Sequence, residues 1–238
     1  LLKKTEVLQQ TNRQLAEFSY AISHDLKSPT NTLAMLLDDI LREGGEGMTA
    51  VGKEMLDDAT KTVSRMTSLV EDVLEYARTI ESAMSFEPVN LGDLVDEVLL
   101  DLEADIAFAN ADVVIGPLPN VVGHPAQLRM LVQNLLSNAL KFRAPERALL
   151  VVIEGSFRKN IFLLEVRDNG IGIPSQYHSR VFGLFQRLHS HATYPGSGIG
   201  LSICHRIVMN HGGRISIGET QGGGATFKVQ LPRVPNDK

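Results

Sequence analysis

The chain has 238 residues, 43% hydrophobic and 21% charged, a balance that fits one or two packed domains and excludes a largely disordered polypeptide. Its 23 basic and 28 acidic side chains leave a net charge of −5, which argues against a general nucleic-acid or anionic-membrane binder. A single cysteine rules out an internal disulfide, and the longest apolar run, Ala148–Ile153, is far too short to cross a bilayer.

Residues 1–86 read as helix, interrupted by glycines only at Gly44, Gly45, Gly47 and Gly52. Leu1, Leu8, Leu15 and Ile22 recur every seven residues as a weak coiled-coil seam, and the apolar pattern continues through Leu26, Leu33, Leu37, Ile40 and Leu41. A second helix is expected from about Thr49. Ala59, Val63, Met66, Val70, Val73, Ala77 and Ile80 step by alternating fours and threes, the spacing of a bundle seam. Two amphipathic helices joined by a glycine-rich turn make a hairpin. A lone hairpin cannot bury both stripes, so a dimer closing a four-helix bundle is expected.

The pattern changes at Phe86-Glu87-Pro88-Val89, where a second domain, 87–238, is expected to begin. A helix over about Leu91–Ala107 and a strand at Asp112–Ile115 come first. A strong helix over Pro125–Phe142 follows. Leu149–Gly155 and Ile161–Arg167 read as strands flanking the turn Arg158-Lys159-Asn160. Gly200–His211 reads as a helix, and Arg214–Gly218 with Ala225–Leu231 as a closing hairpin. Strand pairs mixed with helices predict a two-layer α/β sandwich after the hairpin, hence a multidomain α and α/β protein.

Several residue groups carry chemistry. His24 lies one position off the apolar stripe of the first helix, with Asp25 beside it. A carboxylate bonded to one imidazole nitrogen leaves the other as a nucleophile, although an isolated His-Asp pair is more often just solvated surface. Asn134, Asn138 and Lys141 stand at i, i+4 and i+7 on one helical face; amide oxygens suit Mg²⁺ and the lysine suits a phosphate. Asp168 ends a strand and is followed by Gly170 and Gly172. Such a carboxylate can accept from an exocyclic amine while bare backbone admits a planar base, but Asp-Asn-Gly also makes ordinary turns. Gly196, Gly198 and Gly200 run into a helix at Leu201, where backbone amides form an anion site; the spacing is neither a dinucleotide fingerprint nor a P-loop. Gly222-Gly223-Gly224 leads into Thr226 at the start of the last strand. The remaining histidines, His124, His178, His189, His191, His205 and His211, read as surface or lid residues, and Cys204 as packing.

In this order the pieces resemble the core of a two-component sensor histidine kinase, over nearly the whole chain. Residues 15–33 resemble the H box, 131–142 the N box and 168–174 the G1 box. Residues 181–187 resemble the F box, 196–201 the G2 box and 222–227 the last glycine box. Residues 185–196 are similar to the short ATP lids of phytochrome-type kinases. The resemblance implies a dimerisation and phosphotransfer hairpin (1–86) joined to a Bergerat-fold ATP-binding domain (87–238), with ATP and Mg²⁺ as cofactors. His24 would be the phosphoacceptor and Asp25 its acid–base partner. Asn138 would ligate Mg²⁺ with Asn134 nearby, Lys141 would contact phosphate, and Phe142 would lie near the nucleotide. Asp168, Gly170, Gly172 and Thr226 would serve adenine. Gly196, Gly198, Gly200 and Leu201 would serve the phosphates and lid, with Arg187 a further phosphate candidate. Ser28 stands where the family usually has Thr or Asn to orient water, so weak phosphatase activity is expected. Implied partners are a second copy of the chain and a response-regulator receiver domain, with no nucleic acid. The chain opens Leu1-Leu2-Lys3-Lys4, so it is read as a cytoplasmic fragment lacking an upstream sensor, of a protein either soluble or membrane-anchored. Two rival readings share some of these boxes. A chaperone-type or repair-type Bergerat ATPase would carry a carboxylate at position 134 and no histidine hairpin, and a degenerate scaffold would not bind nucleotide.

Overall fold

The computed structural model describes residues 26–42, 47–81, 85–188, 194, 197–220 and 223–233. His24, Asp25, Gly196, His189, His191 and the heptad Leu1–Ile22 lie outside the described residues. The chain divides into two compact units, one of Leu1–Ser82 with Pro195–Ile199 and the other of Ala83–Tyr194 with Gly200–Lys238.

The first unit contains α1 (residues 26–42) and α2 (Ala50–Glu81). Helix α2 starts where expected: the Thr49 hydroxyl accepts from the Gly52 amide at 3.1 Å, satisfying one of the free donors of the first turn. The two helices are tied by Lys27 and Glu71, 3.0 Å apart. Along α2 the buried apolar residues include Leu56, Val63, Val70 and Ala77, a seven-residue repeat. The intermediate steps differ: Met66 is exposed, as are Leu26, Leu33, Leu36 and Ile40 on α1.

The second unit is a five-stranded mixed sheet in the order β2-β4-β5-β7-β6, covered on one face by helices, with a separate two-stranded ribbon. The strands are β1 (Glu87–Val89), β2 (Asp112–Ile115), β3 (Val121–Gly123), β4 (Leu150–Arg158), β5 (Ile161–Asp168), β6 (Arg214–Glu219) and β7 (Ala225–Pro232). The helices are α3 (Leu91–Asp101), α4 (Glu103–Ala109), α5 (Pro125–Lys141) and α6 (Gly200–Asn210). Strand β2 runs parallel to β4 and every other pairing is antiparallel. Alternation sorts the sheet into two faces. Val151, Ile153, Phe162, Leu164, Val166, Phe227 and Val229 are buried with Leu131, Leu135 and Leu136 of α5 and Ile203 and Ile207 of α6. The other face carries a cross-strand ion ladder, in which Arg167 lies 2.8 Å from Glu154 and Lys228 lies 3.3 Å from Glu165.

Three features differ from the sequence reading. The helix expected over 91–107 is two helices, because Leu102 leaves the α region (φ −94°, ψ 7°); the second ends on left-handed Asn110, where the Ala111 amide donates to Ile106. The ribbon of β1 and β3, pairing Pro88 with Val122, carries no alternation long enough to read. His211 is neither surface nor lid: it is 2% exposed at the end of α6. Its Nδ1 lies 2.8 Å from the Ile207 carbonyl and its Nε2 accepts from the His124 amide at 3.0 Å. Together those bonds fix a neutral ring with the proton on Nδ1. The Phe86 ring meets it edge-on at 5.0 Å. His124 itself caps α5 ahead of Pro125, accepting from the Gln127 amide at 3.4 Å.

Burial pushes the His211 pKa below its ordinary 6.5, against the bond to Ile207 and aided by His124. A histidine lowered on folding contributes stability that is complete above the unfolded value and fades as pH drops through the folded one. The melting temperature of the chain should therefore fall between pH 7.5 and pH 5. His211→Gln should be less stable at pH 7.5 and show a flatter profile, measured by thermal melts across that range.

Candidate functional site

The site is built from the end of β5, the start of β7 and the polar face of α5. Strand β5 alternates buried and partly exposed residues, and the beat that buries Phe162, Leu164 and Val166 also buries Asp168 at its last position. Asp168 Oδ1 accepts from the Gly170 amide at 2.8 Å and the Ala225 amide at 3.2 Å, while Oδ2 has no hydrogen-bond partner among the described residues. Burial pushes this carboxyl above the usual carboxylate range; the two amides and the Arg147 charge pull it back.

Glycine is required around Asp168 by volume. A Cβ on Gly224 (φ +95°) would overlap the Asp168 carbonyl, and one on Gly170 would overlap the Phe142 carbonyl oxygen. One on Gly172 (φ +72°) would lie 2.8 Å from the Gly224 oxygen. Backbone thus packs on backbone, leaving a wall without side chains. The Phe142 carbonyl that excludes a Cβ at Gly170 also accepts from the Ile171 amide at 3.0 Å, tying the end of α5 to this loop. Asn169 closes the other side: its Oδ1 accepts from Leu150 at 2.8 Å and its Nδ2 donates to Ala148 at 2.9 Å. Thr226 is buried, paired with Arg167 in the ladder, and its hydroxyl lies 2.9 Å from that of Thr220.

Helix α5 turns Leu131, Leu135 and Leu136 into the core, so the i, i+4, i+7 face with Asn134, Asn138 and Lys141 is left partly exposed. The Asn134 amide donates back to Met130 at 3.0 Å, which orients its Oδ1. A Cβ at Gly200 would lie 2.5 Å from that oxygen, so a larger first residue of α6 would require the Asn134 side chain to shift. Lys141 lies 4.7 Å from the Phe142 ring centre, and that ring packs on Tyr194 at 5.1 Å. Arg187 donates to the Tyr194 carbonyl at 2.8 Å. Leu201 is half-buried in the first turn of α6. Before that helix, Gly198 has φ +79° and the Ser197 hydroxyl accepts from the Ile199 amide at 3.2 Å.

Phe142, Asp168, Gly170, Gly172, Gly224 and Thr226 are therefore brought together, and Asn134 meets Gly200. Asn169, Thr220 and Arg147 escaped the sequence reading. Asn169 sits inside the Asp-Asn-Gly signal, whereas nothing in spacing marks the other two. A nucleotide fits this donor set. One carboxylate oxygen is open beside a wall of bare backbone, and amide oxygens and a lysine stand on the neighbouring helix. Among the described residues no group of three or more His, Cys, Asp or Glu could hold a metal. A divalent ion here would take amide oxygen, with phosphate oxygens completing its shell, a mode that suits Mg²⁺. No helix among the described residues is long and apolar enough to cross a membrane.

Residues 14–81 match the family model of the His Kinase A (phospho-acceptor) domain, and residues 123–235 match that of the histidine kinase-, DNA gyrase B- and HSP90-like ATPases. The chain is 37% identical over 225 residues to Cyanobacterial phytochrome A of Nostoc sp. (strain PCC 7120), covering 94% of this chain and 29% of that protein. It is 32% identical over 224 residues to the adaptive-response sensory kinase SasA of Synechococcus sp. (strain JA-3-3Ab), covering 88% of this chain and 57% of that one. The chain thus spans less than two thirds of the length of these relatives. Full-length ShkA in complex with AMPPNP shares the fold, with a TM-score of 0.71 at 24% identity over 93% of this chain and 47% of that one.

The glycine wall makes a stability prediction independent of any ligand. Gly224→Ala should destabilise the chain by about 2–5 kcal/mol, from positive-φ strain plus overpacking. Gly218→Ala, whose Cβ meets only the Lys228 side chain at 3.9 Å, should change stability by less than about 1 kcal/mol. Urea denaturation of both variants checks the contrast.

Proposed function

This chain belongs to the two-component sensor histidine kinases, and we propose that it is their catalytic core, transferring the γ-phosphoryl group of ATP to His24 and then to an aspartate of a response regulator. Residues 1–86 would serve as the dimerisation and phosphotransfer hairpin and 87–238 as the ATP-binding domain. The observation that carries the nucleotide reading is Asp168: a buried carboxylate with one oxygen locked by two backbone amides and the other open beside side-chain-free backbone.

In this reading Asp168 Oδ2 accepts from the adenine amine, with Gly170 and Gly172 against the ring and Thr226 supporting it. Asn134, Lys141 and Phe142 line the phosphate side, and Gly196, Gly198, Gly200 and Leu201 give the lid its freedom and its amides. Asn138 would hold Mg²⁺, which when bound supplies positive charge to the phosphates. The His24 imidazole nitrogen attacks the γ-phosphorus, the bond to the β-phosphate oxygen breaks, and ADP leaves. Asp25 holds the proton of the other ring nitrogen. Most of the rate would come from positioning and charge neutralisation.

The match of residues 14–81 to a phospho-acceptor domain, joined to Asn rather than a carboxylate at position 134, favours this reading over a free-standing ATPase. The exposed Leu26, Leu33, Leu36, Ile40 and Met66 support a dimer, because a second hairpin would bury them in a four-helix bundle. Ser28 is exposed on α1 and offers a short hydroxyl where orienting water needs more reach, so phosphatase activity would be weak. The core would work in the cytoplasm, under a sensor carried elsewhere in the protein.

His24→Gln should reduce autophosphorylation from γ-labelled ATP to below about 1% of wild type. It should leave ADP affinity within about two-fold. Label retained by the variant would refute the acceptor assignment. Asn138→Ala should weaken Mg²⁺-dependent nucleotide binding at least about ten-fold with the fold intact, read by titration calorimetry with and without Mg²⁺.

A further inference from the structure

We infer that Arg147, in the loop between α5 and β4, is the positioning residue that holds Asp168 ready for the adenine amine. This rests on the nucleotide reading above and goes beyond the motif residues. The Arg147 Nη2 donates to the Gly170 carbonyl at 3.0 Å. The same guanidinium lies so close to Gly223 that a Cβ there would sit 2.9 Å from Nη2 and 3.1 Å from Nη1, and Gly223 has φ +99°. Arg147 therefore bonds one backbone segment, the loop after β5, and lies against another, the entry to β7. Those same segments supply the Gly170 and Ala225 amides that bind Asp168 Oδ1.

The chemistry of that carboxyl explains why a cation belongs there. Desolvation favours the protonated form, whose O–H would meet the donor hydrogens of an amine. Two amides and one guanidinium oppose this, and Arg147 is the cation whose charge acts on Asp168. A guanidinium suits both tasks, since its planar fork can bond a carbonyl and rest on a bare peptide while staying ionised. Arg147 acts through Asp168 and touches no nucleotide atom in this scheme. Its effect should consequently appear only for bases that present a donor to Oδ2.

The test uses the full chain and compares ADP with inosine diphosphate, which carries a carbonyl where adenine carries the amine. Wild type should bind ADP more tightly than inosine diphosphate, and Asp168→Asn should lose that preference. Failure of these two controls would refute the nucleotide reading itself, whatever Arg147 does. With the controls in place, Arg147→Met should weaken ADP at least about ten-fold and leave inosine diphosphate within about two-fold. Arg147→Gln, carried in parallel, is read by the same criterion should the Met variant not fold. Wild-type ADP affinity in a folded variant, or equal weakening of both nucleotides, would overturn the inference.

Discussion

Asp168 carries the constraint on which the second unit depends. A carboxylate that is 6% exposed must be compensated, and here the compensation comes from backbone: the amides of Gly170 and Ala225 converge on one oxygen. To bring both amides to the same atom, the loop after β5 must fold back on itself while the entry to β7 presses against it. No side chain fits between them, which is why Gly170, Gly172 and Gly224 are glycines for reasons of volume before any reason of chemistry. Asn169 then has a defined task, stitching this knot to the start of β4. The sheet order β4-β5-β7 makes the knot possible, because it sets the end of β5 beside the start of β7.

Helix α5 connects the knot to the rest of the site by serving two masters on opposite faces. Its leucines build the core over the sheet, which fixes its rotation. That rotation in turn fixes where Asn134, Asn138 and Lys141 stand. The carbonyl of its C-cap is shared with the site: Phe142 accepts from Ile171, which ties the helix end to the glycine loop. The other end of α5 is anchored by His124 and through it by His211, a neutral buried imidazole bonded on both nitrogens.

Much of this was legible in sequence because glycines and carboxylates in a site of this kind keep a fixed order along the chain. The inward face of α2 was legible in part: of the expected seam Val63, Val70 and Ala77 are buried, and Leu56, which the spacing did not single out, extends them to a seven-residue repeat. Met66 belongs to the same expected seam and is exposed, since a pattern reports that a face is apolar and not what covers it. The break at Leu102 left no mark, because neither glycine nor proline makes it. The three-residue strands β1 and β3 are too short for alternation to exceed chance. His211 was misread because burial of a histidine is decided by distant partners, here an amide 87 residues away in sequence. Arg147 escaped for the same reason. Its contacts, Gly170 and Gly223, lie 23 and more residues beyond it, in elements that only the sheet topology brings near.

A buried carboxylate that selects an amine, the role proposed for Asp168, would face two opposed demands. Selectivity rises with desolvation, because a site that has lost water punishes a ligand lacking the donor it expects. Desolvation also favours protonation, and a protonated acid offers the wrong partner to an amine. Additional side-chain donors on Asp168 would ease the second demand but occupy the oxygen that the ligand needs. Backbone amides escape this conflict, since they reach Oδ1 from within the knot and leave Oδ2 open. Arg147, bonded to the Gly170 carbonyl, adds positive charge near Asp168 without occupying Oδ2. In the proposed role the glycine wall and Arg147 would be complementary parts of one solution, in which backbone amides and a cation oppose the protonation that burial favours at Asp168.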